Sequence, residues 1–245
     1  MKQIIFYIST FLIISAITGC INDKKAAPIL ILATNADFAG CSNATRGIFG
    51  GTSTNLRTMQ YITIASTGNS ISFGNLTIPG RGALASCSST TRGIFAGGRD
   101  ASSFDLMRID YVTIAATPPV TATTFGNLTI AREDLTSCSS NIRGVFAGGW
   151  NDIGTRYSRI DYITIASTGN ATNFGNLALA TTAPSGVCNG LRGVFAGGVT
   201  SGSGFLNTME YITITATPPV TTTNFGTLSV ARGQIAGVSG SHGGL

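Results

Sequence analysis

Charge is scarce in this chain. Asp, Glu, Lys and Arg make up only 10% of its 245 residues, against roughly 25% in an average soluble domain. Thr, Ser, Asn and Gly must therefore cover the surface, which suits an exported protein better than a cytosolic one. Histidine is nearly missing, since the one copy, His242, stands outside every repeated segment. The body of the chain thus has no histidine to serve as general base or metal ligand. Carboxylates are few and scattered, so the positioned pair that glycosidases need is not evident. The arginines are spread along the chain without a basic run, and nucleic acid is a poor partner despite a net charge of +5. These absences leave a chain with no catalytic residues, cofactor or metal in prospect. Hydrophobic residues are at an ordinary 43%, so the composition is not that of a disordered chain. The length suits one all-β domain.

The N-terminus carries a different signal. Lys2 precedes an apolar stretch from Ile4 to Ile17, too short to span a bilayer but right for a signal peptide. Ile17-Thr18-Gly19-Cys20 then resembles a bacterial lipobox, with small residues before the cysteine that receives diacylglycerol. The reading assigns residues 1–19 to a lipoprotein signal peptide and 20–35 to the lipidated Cys20 and a tether. Acyl chains at ~0.8 kcal/mol per buried CH₂ make such a cysteine a stable membrane anchor. Ile21, where Asp would imply inner-membrane retention by likeness to known sorting rules, favours the outer membrane or cell surface.

From residue 36 to 245 the chain repeats itself. Tyr61, Tyr111, Tyr162 and Tyr211 recur at intervals of 50, 51 and 49, each heading a run such as Tyr162-Ile-Thr-Ile-Ala166. Upstream of each lies an Arg-Gly-Ile/Val-Phe segment closed by a glycine pair: Gly50-Gly51, Gly97-Gly98, Gly148-Gly149 and Gly197-Gly198. Downstream, Phe73, Phe125, Phe174 and Phe225 each precede a glycine. A period of this length built from short β-type segments means a propeller or array, and the β-branched residues and glycines of every window oppose helices. One repeat parses into four strands, at Leu135–Ser139, Arg143–Gly148, Arg159–Ala166 and about Ala171–Leu177. Sheets packed on both faces explain why Gly144-Val-Phe-Ala147 is apolar throughout instead of alternating. Repeats one and three share Ser-Thr-Gly-Asn before the fourth strand, and two and four share Ala-Thr-Pro-Pro-Val-Thr, so a two-repeat unit was duplicated. Ile29–Thr34 reads as an extra fourth strand and Gln234–Gly240 as a fifth copy of the first.

Together the glycine pairs, the tyrosines, the aromatics near the fourth strand and Arg81, Arg132 and Arg232 before the next first strand resemble the kelch repeat. Thr181 departs from that pattern, and phenylalanine stands where kelch repeats usually have tryptophan. Phage-tail and bacterial surface repeat proteins show a similar likeness. The resemblance implies an all-β fold: a β-propeller of four-stranded kelch-like blades. About four blades are complete, either closing with a borrowed strand or belonging to a larger ring.

Most repeated polar residues read as structural. Cys41, Cys87 and Cys138 share one first-strand slot, but Val187 takes it in the third repeat-to-repeat step and Cys188 sits one position later. That shift turns its side chain to the other face, so a ring of metal-binding thiolates is not expected. Asp110, Asp161 and Glu210, with Gln60 in the first copy, precede the repeat tyrosine as acceptors for a repeat arginine. Arg46, Arg92, Arg143 and Arg192 fall at the first-to-second strand turn, where solvation is the expected role and anion binding the alternative. Function is expected in the long links between second and third strands, which alone diverge between copies. They carry Arg57, Arg99, Phe104, Trp150, Arg156, Tyr157 and Phe205, and aromatic and Arg residues dominate binding hot spots. In kelch-like propellers this face often holds the ligand. The expected function is a surface-anchored adhesion or capture lipoprotein that binds a glycan or protein through these loops. A structural scaffold of envelope or phage-tail origin is the alternative.

Overall fold

The computed structural model describes residues 38–52, 56–202 and 204–237. The leader, Cys20, the tether and the Ile29–Thr34 segment lie outside them. No helix occurs among the described residues.

Each repeat forms one antiparallel sheet in chain order, as the glycine and tyrosine spacing demands. Sheet one holds β1 (Ala39–Ser42), β2 (Arg46–Gly50), β3 (Thr58–Thr63) and β4 (Ile71–Asn75). Sheet two holds β5 (Ala85–Ser88), β6 (Arg92–Ala96), β7 (Arg108–Thr113) and β9 (Thr123–Asn127). Between its last two strands the Pro-Pro turn makes β8 (Val120–Thr121), which pairs in parallel with β4 of sheet one. Sheet three holds β10 (Thr136–Ser139), β11 (Arg143–Ala147), β12 (Arg159–Thr164) and β13 (Thr172–Asn176). Sheet four holds β14 (Ser185–Cys188), β15 (Arg192–Ala196), β16 (Leu206–Thr213) and β18 (Thr223–Arg232), while β17 (Val220–Thr221) reaches back to β13. These bounds match the sequence parse to within about two residues.

The sheets stack face to face through three apolar cores. Between sheets one and two, Cys41, Ile48, Met59 and Phe73 meet Phe95, Val112 and Ile114. The next two interfaces repeat this set with Cys87, Ile94 and Phe125 against Phe146 and Ile163, then Cys138, Val145 and Phe174 against Phe195 and Ile212. Each cysteine fits a hole left by a glycine of the following sheet. A Cβ on Gly144 would come within 2.7 Å of Cys87 Sγ, and one on Gly93 would collide with Cys41 Sγ. Cys41, Cys87 and Cys138 are free, buried thiols. Burial pushes the Cys41 pKa up to about 12 and raises the other two well above the ordinary thiol value. Cys188 faces otherwise, and its Sγ lies 3.1 Å from Ser139 O.

Polar clamps reinforce each junction. In every sheet the third strand has a register shift immediately before Gln60, Asp110, Asp161 or Glu210, a bulge that aims this side chain at the preceding connection. Arg81 Nη1 donates to Asp110 Oδ2 at 2.9 Å, and Arg132 Nη2 to Asp161 Oδ2 at 3.1 Å, with both pairs fully buried. Thr77 and Thr129 hydroxyls donate to the same carboxylates at 2.6 Å. The arginine served is therefore the one preceding the next first strand. The other set was expected to be solvated at its turn, and the structure corrects this. Arg46 lies over the Tyr61 ring at 4.4 Å and donates to the carbonyls of Ile114 and Ala116 in the following sheet. Arg143 does the same over Tyr162, to Ile214 and Ala216, because each carbonyl pair emerges where the stacked tyrosine directs the guanidinium.

The first strands run side by side, linked by side chains instead of a backbone ladder: Ser86 Oγ donates to Gly40 O at 2.7 Å and Ser137 Oγ to Ser86 O at 2.6 Å. Along them runs an open cavity of about 730 Å³ lined by all four first strands. The expected fifth first strand begins in place, since Gln234 N donates to Ala183 O as Ala183 N does to Asp134 O. Gln234–Gly237 nevertheless forms no strand, having no second strand beside it to pair with. The stack is open at both ends. Phe49 is 45% exposed where its equivalents Phe95, Phe146 and Phe195 are at most 2% exposed.

Removing one partner of a buried ion pair typically costs about 3–5 kcal/mol. Arg132→Ala should lower unfolding stability by that amount in denaturant titration, because Asp161 is left buried without its cation. A loss below about 1 kcal/mol would show that the pair is not the clamp described.

Candidate ligand-binding loop face

The up-down order of each sheet brings its second-to-third link and the incoming fourth-to-first connection to the same side, as the sequence implied. Isolated bridges knit them together: Gly82 to Arg99, Glu133 to Trp150 and Thr182 to Val199, each closed by a further bridge to Asp105, Arg156 or Phe205. Every link therefore leaves its glycine pair, makes a short β turn and returns.

In the sheet-three link these bridges gather four of the expected residues around one that the sequence had not singled out. Glu133 is 3% exposed, and Arg99 Nε lies 3.2 Å from its Oε2, an ion pair without the alignment of a hydrogen bond. Burial pushes the Glu133 carboxyl up to about 7, against the pull of Arg99 and with help from Asp134, Asp105 and Asp152. Trp150 pairs its backbone with Glu133, donates Nε1–H to Asp134 Oδ2 at 3.1 Å, and lies 5.8 Å beneath the Arg156 guanidinium. Tyr157 OH accepts from Asn151 Nδ2 at 2.9 Å. Across to the sheet-two link, Asp152 N donates to Asp105 Oδ2 at 2.7 Å. Desolvation also raises the Asp105 pKa, with its backbone hydrogen bond opposing. Glu133 was legible only as one of two glutamates, because its burial depends on the loop bridge and not on any local pattern.

The other expected residues stand apart. Phe104 is 64% exposed at the tip of the sheet-two link, where Asp100 Oδ1 caps its amide at 3.0 Å. Phe205 is 57% exposed in the sheet-four link, and Arg57 is exposed beside sheet one. Two further tips were missed by a search for aromatics: Ile153 at 81% and Leu56 at 58% exposed. Each of the four links thus presents one protruding apolar residue. Among the described residues, no cluster of His, Cys, Asp or Glu is arranged to hold a metal ion.

No protein-family model matches the chain, and no curated protein matches it. Among solved structures, the one described as "Structure of YjhT" superposes with a TM-score of 0.65 at 8% identity. The match covers 81% of this chain and 67% of that one. At that identity the likeness concerns the fold alone. It agrees with an all-β chain of four repeated sheets.

The Glu133 shift fixes the sign of a pH effect. Its carboxyl takes up a proton more readily folded than unfolded, so folding is favoured below the unfolded value near 4.5 and loses that contribution as pH rises to about 7. Thermal unfolding in a buffer series should show wild type weakening across this window while Glu133→Gln stays flatter. Parallel profiles would mean that Glu133 is solvated.

Proposed function

We propose that the chain is a β-propeller of kelch-like blades, exported and anchored through a lipidated Cys20, which captures a protein or glycan at the cell surface. The observation that carries the reading is the contrast within the repeats. The stacked strands are nearly identical, whereas the links on one side differ and each lifts an apolar residue into solvent: Leu56, Phe104, Ile153 and Phe205. Exposed apolar groups gathered on one side, rimmed by Arg57, Arg99 and Asp152, have the composition of a recognition surface. Trp150 and Tyr157 act beneath them. Their polar atoms are engaged by Asp134 and Asn151, so they stiffen the loop and offer ring faces to a ligand that settles on it. Enzymatic activity is not part of this reading, because Glu133, the carboxyl poised to protonate a leaving group, faces Arg99 and backbone instead of an open cleft.

The likeness in fold to a solved all-β structure supports the propeller, and the Ile17–Cys20 sequence supports the anchor. The scaffold reading has its own support in the two open ends of the stack.

The test uses whole cells and purified protein. Cys20→Ser should release the protein from the membrane fraction and abolish palmitate labelling. On glycan and surface-protein arrays, the Phe104→Ser, Ile153→Ser double variant should lose about tenfold or more in affinity for whatever wild type captures, with an unchanged melting temperature. Undiminished binding by that variant would move the site off these loops, and unlabelled wild type would remove the anchor.

A further inference from the structure

The two ends of the stack are complementary halves of one interface. Sheet four presents Tyr211 and Phe225, the latter 49% exposed where Phe73, Phe125 and Phe174 are at most 3% exposed. Sheet one presents Phe49, Ile62 and Ile64, the slots that in sheets two to four are filled by Phe and two branched residues packed on the preceding sheet. We propose that a second copy of this chain docks head to tail, with its sheet one on sheet four, reproducing the junction between sheets two and three.

The internal junctions supply the template in detail. Each odd-numbered sheet carries the Ser-Thr-Gly-Asn turn and each even one the Pro-Pro turn. At the two-to-three junction, Gly169 N donates to Phe125 O at 2.9 Å, Ala171 N to Asn127 O at 2.8 Å, and Asn170 Oδ1 accepts from Asn127 N at 3.0 Å. A four-to-one junction has the same parity. Gly68, with open space around it, and Asn69 are the matching turn, facing the Phe225–Thr227 backbone. Arg192 lies over Tyr211 at 4.4 Å, as Arg92 lies over Tyr111 at 4.6 Å. Arg92 donates onward to Ile165 O at 2.9 Å, and the partner's Ile64 carbonyl is the corresponding acceptor for Arg192. Gly47 keeps the hole that Gly144 offers to Cys87, here for Val187.

Two features set the strength of this contact. Gln234–Gly237 lies in the incoming first strand's place without forming a strand, and β1 of the partner displaces it. Arg232 would meet Gln60 where Arg81 meets Asp110 and Arg132 meets Asp161, so hydrogen bonding replaces an ion pair there. Two copies supply eight blades, within the range that propellers close. Closure makes both junctions equal and ends growth at two.

Sedimentation of the purified protein over a dilution series reads the proposal, independently of any ligand. Wild type should form dimers, and Phe49→Asp or Phe225→Asp should each raise the dissociation constant about thirtyfold or more. Mixing these two variants should restore a one-to-one complex, since together they retain one intact junction; a face-to-face dimer of like ends would not behave so. Gln60→Asp, by giving Arg232 a carboxylate, should tighten association about tenfold. A wild type that stays monomeric, association indifferent to both phenylalanines, a mixture that stays monomeric, or growth beyond two would overturn the proposal.

Discussion

Every sheet of this protein is apolar on both faces, and none can hide both by itself. Four short strands closed by turns give a ribbon that water would strip apart, so stability comes from stacking one sheet on the next. Burying a phenylalanine and two branched residues from one side against four apolar residues from the other removes several side chains from water at once, each worth about 1.5–3 kcal/mol. The polar devices follow from that stacking. Arg81 and Arg132 are tolerated without exposure because Asp110 and Asp161 arrive from the neighbouring sheet, and the cysteines are inert because a glycine of the next sheet receives them.

The stacked part was legible in the sequence because identical contacts need identical residues. The glycine pairs, the tyrosines and the Arg-Gly-Phe segments located sixteen strands to within about two residues, and Gly144-Val-Phe-Ala147 announced two-sided burial. What the strings did not disclose were contacts between repeats. That Arg46 clamps the carbonyls of Ile114 and Ala116 depends on how far one sheet is turned against the next, which no local pattern encodes. Glu133 was overlooked for the same reason, as its surroundings come from Arg99 in one link and Trp150 in another. The aromatic search found Phe104 and Phe205 but passed over Ile153 and Leu56, which occupy the same tips with aliphatic chains.

The division between stack and links also orders the functional reading. A rigid series of nearly equal sheets can carry unequal links at little cost, since the bridges from Arg99, Trp150 and Val199 fix where each link begins. The same regularity makes the ends conspicuous: wherever the series stops, one face that the repeat was built to cover is left in water. Ligand capture and self-association thus arise from separate parts of one design.

Amide hydrogen exchange reads the stacking directly. The segments Arg46–Gly50 and Arg92–Ala96 are Arg-Gly-Ile-Phe followed by Gly or Ala, so their intrinsic exchange rates are nearly alike. They differ in coverage, because sheet two is packed on both faces and sheet one on a single face. Measured on monomeric protein, the amides of Ile94 and Phe95 should exchange about tenfold or more slowly than those of Ile48 and Phe49. Equal protection of the two segments would contradict the account.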